Sequence, residues 1–164
     1  MKKIIVSMLL LLPLGLFAQE VKLAIVNTGE IINLLPEMST LQSEMATLQQ
    51  TLQKESKQME DEYTRKVADL TEQNESLTDN IRKLRVQEID DLRGRLENFL
   101  ASAQETMEKR QEELFAPIQE KVMNAINSVG EENGYTILNP QVLLFKGKGV
   151  ADATDLVKAK LGLK

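Results

Sequence analysis

Apolar side chains between residues 37 and 133 recur at alternating spacings of three and four, which is the pattern of a narrow coiled-coil seam. A first series precedes residue 71, is interrupted by a polar gap around Glu55 and Ser56, and comprises Met38, Leu41, Met45, Leu48, Leu52, Met59, Tyr63, Val67 and Leu70. A second series, with one irregular step, comprises Leu77, Ile81, Leu84, Ile89, Leu92, Leu96, Phe99, Ala103 and Met107. The pattern predicts two long helices that share one seam.

Polar residues 71–76 separate the two series and are able to form a turn. We therefore predict a hairpin of two antiparallel helices over residues 37–133, with its tip at residues 71–76. Gly94 offers a competing turn, but the apolar spacing continues across it. Gly94 is accordingly interpreted as a helix residue that costs about 1 kcal/mol relative to alanine.

Pro117 is predicted to bend the second helix, because proline lacks an amide hydrogen and crowds the preceding helical turn. The segment from about residue 117 onwards is then expected to pack on the body of the protein rather than on the arm. The alternative is that a new helix begins at Pro117, since proline is favoured at the first position of a helix.

Three short apolar runs favour strands and bracket the hairpin, at residues 21–27, 135–138 and 142–145. Gly134 is expected to end the long helix, and a short closing helix is predicted from about 153 to 161. Strands from both ends of the chain can meet only if the hairpin returns to its starting point. The predicted fold is therefore mainly α with a small β body, divided into 19–36 (first strand and entry to the arm), 37–133 (arm) and 134–164 (strands and last helix).

The first eighteen residues have the pattern of an export signal. Lys2 and Lys3 precede an apolar stretch over residues 4–17, and Ala18 supplies a small residue for cleavage. This stretch is too short to span a bilayer comfortably, so a retained membrane anchor is the less favoured interpretation. We expect a signal peptide over residues 1–18, cleaved near Ala18, and an exported mature protein.

Charge and composition exclude several classes of function. Without residues 1–18, lysine and arginine fall from 20 to 18 against 25 acidic residues, which gives a net charge of −7. Nucleic acid is not an expected partner, because proteins that bind it carry clustered positive charge. The chain has no histidine and no cysteine, which removes the commonest general bases, nucleophiles and transition-metal ligands. We expect no enzyme activity, no metal and no cofactor.

Two groups of residues are candidates for contact with a partner. Arg82, Lys83 and Arg85 follow the predicted tip and would suit acidic partners or a weak contact with anionic lipid, although interleaved acidic residues favour an ordinary solvated face. Met45 and Met59 lie in the first seam, where soft side chains suit varied partners, although core packing is their usual role. The last candidate, at the tip itself, is Leu77.

Several local patterns together resemble the Skp/OmpH family of periplasmic chaperones. The resemblance covers essentially the whole chain after residue 18 and rests on the order of the segments, not on any single motif. The segments are KLAIVN at 22–27, LLPE at 34–37, PI at 117–118, Val122, AI at 125–126, Val129, NGYTIL at 133–138, DATDLV at 152–157 and LG at 161–162.

The resemblance implies a homotrimer in which short strands of three subunits build a barrel-like body and three helical arms surround a cavity. It also implies an ATP-independent periplasmic holding chaperone, which binds unfolded outer-membrane proteins in that cavity and prevents their aggregation. The trimer contacts expected in the body are Leu23, Ile25, Ile137, Leu138 and Leu144.

Two features depart from the family pattern. The best-known members are basic, whereas this chain is acidic, and Ala153 stands where many relatives carry a larger aliphatic residue. A structural coiled-coil spacer or assembly subunit of the cell envelope, without a client cavity, is the alternative interpretation.

Overall fold

The computed structural model describes residues 21–163, apart from the side chain of residue 74, so the expected signal peptide lies outside the described residues. The chain is mostly helical and carries a small sheet, which confirms the predicted class. The α-helices of the described residues are α1 (Thr28–Leu34), α2 (Pro36–Gln73), α3 (Asp79–Asn133) and α4 (Thr154–Lys160), and the strands are β1 (Lys22–Ile25), β2 (Tyr135–Leu138) and β3 (Val150–Asp152).

The helix α2 begins at Pro36, where a missing amide hydrogen costs nothing, and runs for 38 residues. A single 3-10 turn at Asn74–Ser76 and two extended residues separate α2 from α3. The break between the two apolar series therefore coincides with the break between the two helices.

The helix α3 runs for 55 residues and contains both Gly94 and Pro117 in its interior. Gly94 is thus a helix residue, as its flanking apolar spacing predicts. The alternative prediction that a new helix begins at Pro117 is wrong, because the helix continues through this residue. The predicted bend at Pro117 stays a prediction.

Gly134 ends α3 with a left-handed backbone, at φ 66° and ψ 34°, and its amide hydrogen bonds to the carbonyl of Gly130. Residues other than glycine rarely adopt this conformation, because their Cβ approaches the following carbonyl oxygen. The turn at Gly134 directs the chain straight into β2, so the end of the long helix also sets the start of the sheet.

The sheet is parallel, with the order β2-β1-β3, so the N-terminal strand lies in the middle. The prediction of a third strand at residues 142–145 is wrong. Pro140–Val142 forms a 3-10 turn instead, because the Asn139 side-chain oxygen accepts a hydrogen bond from the Gln141 amide at 2.9 Å. The third strand is β3, whose residues pair with Leu23, Ala24 and Ile25 of β1.

The helix α1 was not anticipated in the segment expected to be only an entry to the arm. Its signal is local: the Asn27 side chain accepts a hydrogen bond from the Glu30 amide at 3.2 Å and also contacts the Glu30 carboxylate. The Asn27 side chain thus caps the helix, and asparagine followed by glutamate three residues later is a recognisable sequence signature of a helix start.

The core lies between one face of the sheet, the C-terminal part of α3, and the short helices α1 and α4. In α3 the apolar spacing of four and three continues after Pro117, and α3 contributes more buried core residues than any other element of the described chain. The buried core residues are Ala24, Val26, Ile31, Leu35, Ile118, Val122, Ala125, Ile126, Val129, Ala153 and Val157. Burying each larger aliphatic side chain contributes about 1.5 to 3 kcal/mol, so this cluster supplies most of the driving force that joins the two ends of the chain.

Buried Thr154 links the two ends of the chain by hydrogen bonds. Its hydroxyl accepts from the Asn27 amide at 3.0 Å, and its own amide donates to the Asp152 carboxylate at 3.1 Å. The hydrogen bonds from Thr154, assisted by the nearby Lys146 ammonium, lower the pKa of Asp152. Ala153 also donates to the carbonyl of Ile25 at 2.9 Å, so two hydrogen bonds, from the amides of Asn27 and Ala153, join the end of β1 to the start of α4.

Replacing each of two glycines by alanine should change the stability in opposite directions. At Gly94 an added Cβ meets open space inside a helix, so Gly94→Ala should raise the free energy of unfolding by about 1 kcal/mol. At Gly134 the space is also open, but φ is 66°, a backbone conformation that alanine adopts only with strain. Gly134→Ala should therefore lower the free energy of unfolding by about 1 to 2 kcal/mol. Urea denaturation followed by circular dichroism measures both values, and shifts of the same sign would contradict the assigned conformations.

Candidate functional site

The long helices expose their apolar seam to an unusual degree. The 38-residue α2 contains no buried residue, and Leu92 is the one buried side chain among the described residues between 36 and 117. The other seam residues of this region are half-buried or exposed, because each helix covers only one side of the other. A continuous strip of partly accessible apolar surface therefore follows the length of the two helices.

Ion pairs connect α2 with α3 at the two ends of this strip. Glu37 pairs with Lys121 and Glu44 with Arg110 near the body, and Lys66 pairs with Glu88 at 3.0 Å near the helix break. From one pair to the next, the residue number increases along α2 and decreases along α3. Lys66 thus bonds across the seam to the other long helix.

The ion pair nearest the body favours the ionised form of its carboxyl group. The hydrogen bond from Lys121, followed by the bond to its own backbone, lowers the pKa of Glu37. On α3, the carboxylates of Glu44 and Glu113 raise the pKa of Arg110. Both ion pairs are about two-fifths exposed, so solvent screens them and each contributes only modestly to stability.

An apolar groove of about 390 Å³ opens between α2 and α3, between the two regions of ion pairing. Its apolar surface comes from Leu52 of α2 and from α3, and uncharged amide and hydroxyl groups also line it. The residues from α3 are Phe99, Leu100, Ala103 and Met107, and the uncharged polar residues are Gln49, Gln53, Ser56 and Gln104.

The candidate partner residues named from the sequence do not line this groove. Met45 and Met59 are half-buried in α2, and neither is among the lining residues of the groove. Two features of the apolar seam in the sequence could have indicated the groove, namely the polar gap at Ser56 and the small side chain of Ala103. Both reduce the apolar volume that fills the space between the helices.

The tip residues are held by local hydrogen bonds. Arg82 pairs with Asp79 at 3.0 Å, and the Arg85 guanidinium donates to the Gln73 side chain at 2.9 Å. Lys83 is exposed on the first turns of α3, and Leu77 is half-buried where the chain leaves the 3-10 turn. The basic cluster is therefore largely engaged with neighbouring residues, as interleaved charge would favour.

A second accessible apolar surface is the face of the sheet that points away from the core. Because successive strand residues alternate between faces, this outer sheet face carries the half-buried residues Leu23, Ile25, Leu138 and Val150. Beside it the loop after β2 exposes three large apolar side chains, at 71% for Val142, 106% for Leu144 and 83% for Phe145.

Ile137 lies on the opposite face from Leu23 and Ile25. It pairs with Ala24 in the sheet register and packs on the core, close to Gly130 of α3. The body contacts named from the sequence thus divide into two sets, and Ile137 belongs to the interior. The sequence does not distinguish these sets, because the assignment depends on strand register.

Two kinds of site do not occur in the described part of the chain. No helix over residues 21–163 is long and apolar enough to cross a membrane. Within the same residues, no group of three carboxylate side chains is placed to hold a metal ion.

Comparison with known proteins identifies a family that the chain matches. The sequence model of a family described as "Outer membrane protein (OmpH-like)" matches residues 22–161, which is most of the chain. No curated protein matches the chain.

The Glu37 ion pair should make stability depend on pH. Folding lowers the pKa of Glu37 below its unfolded value of about 4.3. The ion pair therefore stabilises the fold above this pH, and its stabilisation is lost as the pH falls through the lowered pKa of the folded state. We expect Glu37→Gln to remove up to about 0.5 kcal/mol at pH 7 and to change little at pH 3. Urea denaturation at both pH values measures this difference. Glu55→Gln, on an exposed position of the same helix, is the control, and an equal effect in both variants would contradict the assignment.

Proposed function

The chain belongs to the Skp/OmpH family, whose members are periplasmic chaperones for outer membrane proteins, and from this premise we propose that it is an ATP-independent holding chaperone. It binds unfolded outer-membrane proteins in a cavity between helical arms and prevents their aggregation. The family is not one of enzymes, which agrees with the expected absence of catalytic activity. We also propose that residues 1–18 are an export signal cleaved near Ala18.

The arm of the proposed chaperone is an antiparallel hairpin of α2 and α3, with its tip at the 3-10 turn. The opposite order of ion-pair partners along the two helices supports this arrangement. At 1.5 Å per residue the 38-residue α2 extends roughly 57 Å, far beyond the small body. Such an arm can enclose a client without burying itself.

The observation that carries the proposal, beside the family, is the long α2 without a single buried residue. A helix of this length that served only as a structural support would be more stable if its apolar seam were fully buried against a partner helix and excluded water. The seam instead leaves apolar side chains partly accessible, where they are able to contact apolar segments of an unfolded chain. Binding of this kind needs no ATP, because the client leaves when its own folded state in the membrane is more stable.

The body of the proposed trimer is built on the outer sheet face. Leu23, Ile25 and Leu138 provide apolar surface on this face, and exposed Leu144 and Phe145 stand beside it. A surface of this kind in contact with water is unfavourable and is typical of an interface between subunits. We place Ile137 in the core of each subunit and not in the interface.

The chaperone activity can be tested with the mature chain, residues 19–164. A denatured outer-membrane β-barrel protein is diluted into buffer without ATP, and its aggregation is followed by light scattering. An excess of the mature chain should suppress the scattering, because the client's apolar segments become covered. A structural spacer would leave the aggregation unchanged, and that result would sink the proposal.

The subunit interface can be tested with Ile25→Asp. The wild-type mature chain should have about three times the monomer mass at micromolar concentration, by light scattering after gel filtration. The variant should have the monomer mass and keep its helical circular dichroism, because Ile25 points away from the core of its own subunit. Val86→Asp, at an exposed position of α3, is the control and should leave the mass unchanged. If Ile25→Asp remains a trimer, the interface has been misplaced.

A further inference from the structure

We propose that the groove between α2 and α3 is a docking subsite for a short, extended and uncharged part of a strand-forming segment of an unfolded β-barrel client. The inference rests on the proposed chaperone function and specifies where on the arm, and for what kind of segment, the binding occurs. Each arm would then carry its own subsite, in addition to any contact with the wide cavity between arms.

The groove is large enough to accept side chains from a partner. Its volume of about 390 Å³ lies within the range of about 300 to 1,000 Å³ that is usual for binding pockets. Phe99 and Met107 provide aromatic and thioether surface, and Leu100, also in the lining, is 49% exposed. Soft and aromatic side chains of this kind accommodate varied apolar groups without a fixed shape.

The polar groups around the groove suit an extended backbone. The side chains of Gln49, Gln53 and Gln104 carry both donors and acceptors, and so does the Ser56 hydroxyl. Two of these groups already bond along their own helices: Gln104 donates to Glu108 at 3.0 Å, and Ser56 donates to Glu60 at 3.3 Å. Each retains acceptor capacity. An unfolded strand has unpaired backbone amides and carbonyls, which such groups can satisfy.

The charge of the groove indicates which segment fits. Lys57 and Glu60 are its charged lining residues, one of each sign, and Lys57 already pairs with Asp61 at 3.2 Å. Among the described residues, no ion pair between α2 and α3 lies in this stretch, between Glu44–Arg110 and Lys66–Glu88. The groove is therefore close to neutral in a chain whose mature form has a net charge of −7.

A nearly neutral groove that is lined by both apolar and uncharged polar side chains matches the pattern of a membrane β-strand. Such strands have about ten residues that alternate between apolar and polar, with few charges on the apolar face. The apolar side chains would enter the groove, while the backbone and polar side chains would face the glutamines. A charged peptide would leave its charges without partners at this position.

The inference is tested by filling the groove. Ala103→Trp places a large side chain in it, whereas Ala101→Trp places the same side chain at an exposed position of the same helix. The probe is a fluorescent ten-residue peptide that alternates valine with serine and has no net charge. We expect Ala103→Trp to weaken peptide binding about tenfold, and Ala101→Trp to change it less than about twofold. Equal affinity in the two variants would overturn the subsite.

A second measurement does not depend on whether the tryptophan variant packs normally. Since the chain has no cysteine, Ala103→Cys and Ala101→Cys each provide one site for an environment-sensitive fluorophore. On addition of the peptide, the emission at position 103 should shift to shorter wavelength and that at position 101 should not. A shift at position 103 with lipid vesicles alone, or with rising protein concentration alone, would assign the groove to lipid or to a second copy and overturn the inference.

The two proposals fail in different ways. If Ala103→Trp suppresses client aggregation as well as the wild type does and still binds the peptide, the subsite is wrong and the chaperone function stands. If the wild type does not suppress aggregation, both are wrong. Helical circular dichroism and solution mass equal to those of the wild type confirm that each variant is folded.

Discussion

Strand β1 forms hydrogen bonds on both of its edges with strands from the opposite end of the chain, and all three strands are parallel. Parallel neighbours cannot be joined by a tight turn, so the chain must travel away and return between β1 and β2. Here the connection consists of α1, α2 and α3. The return of this connection to the body is thus a consequence of this one pairing, and the core forms where the returning helix α3 meets the sheet.

Stability and accessibility are distributed unevenly along this connection. The body holds the buried core and the hydrogen bonds around Thr154, while the arm holds ion pairs near its two ends and half-open apolar surface between them. Partly exposed ion pairs contribute little energy, but their geometry favours one register of the two helices. The two helices can therefore remain aligned without a dry seam, which leaves apolar surface available to the client that we propose.

The sequence predicted the parts of the fold that depend on local pattern. The spacing of apolar residues located both long helices and the break between them, and Gly134 marked the end of α3. The strand expected at residues 142–145 was misplaced because its composition favours a strand, whereas the actual strand β3 is defined by pairing with β1. The face on which Ile137 lies, and the groove beside Ala103, likewise depend on register and on contacts between helices. Neither is encoded in a single stretch of residues.

The position of β1 in the middle of the sheet also sets an order of events during folding. A chain made from its N-terminus presents β1 first, yet both neighbours of β1 are among the last residues to appear. Closing so long a loop is entropically costly, although each doubling of its length adds only about 0.6 kcal/mol. The sheet therefore cannot form before residues 135–152 have been made, which keeps the chain open until then and is compatible with the export across a membrane that we propose.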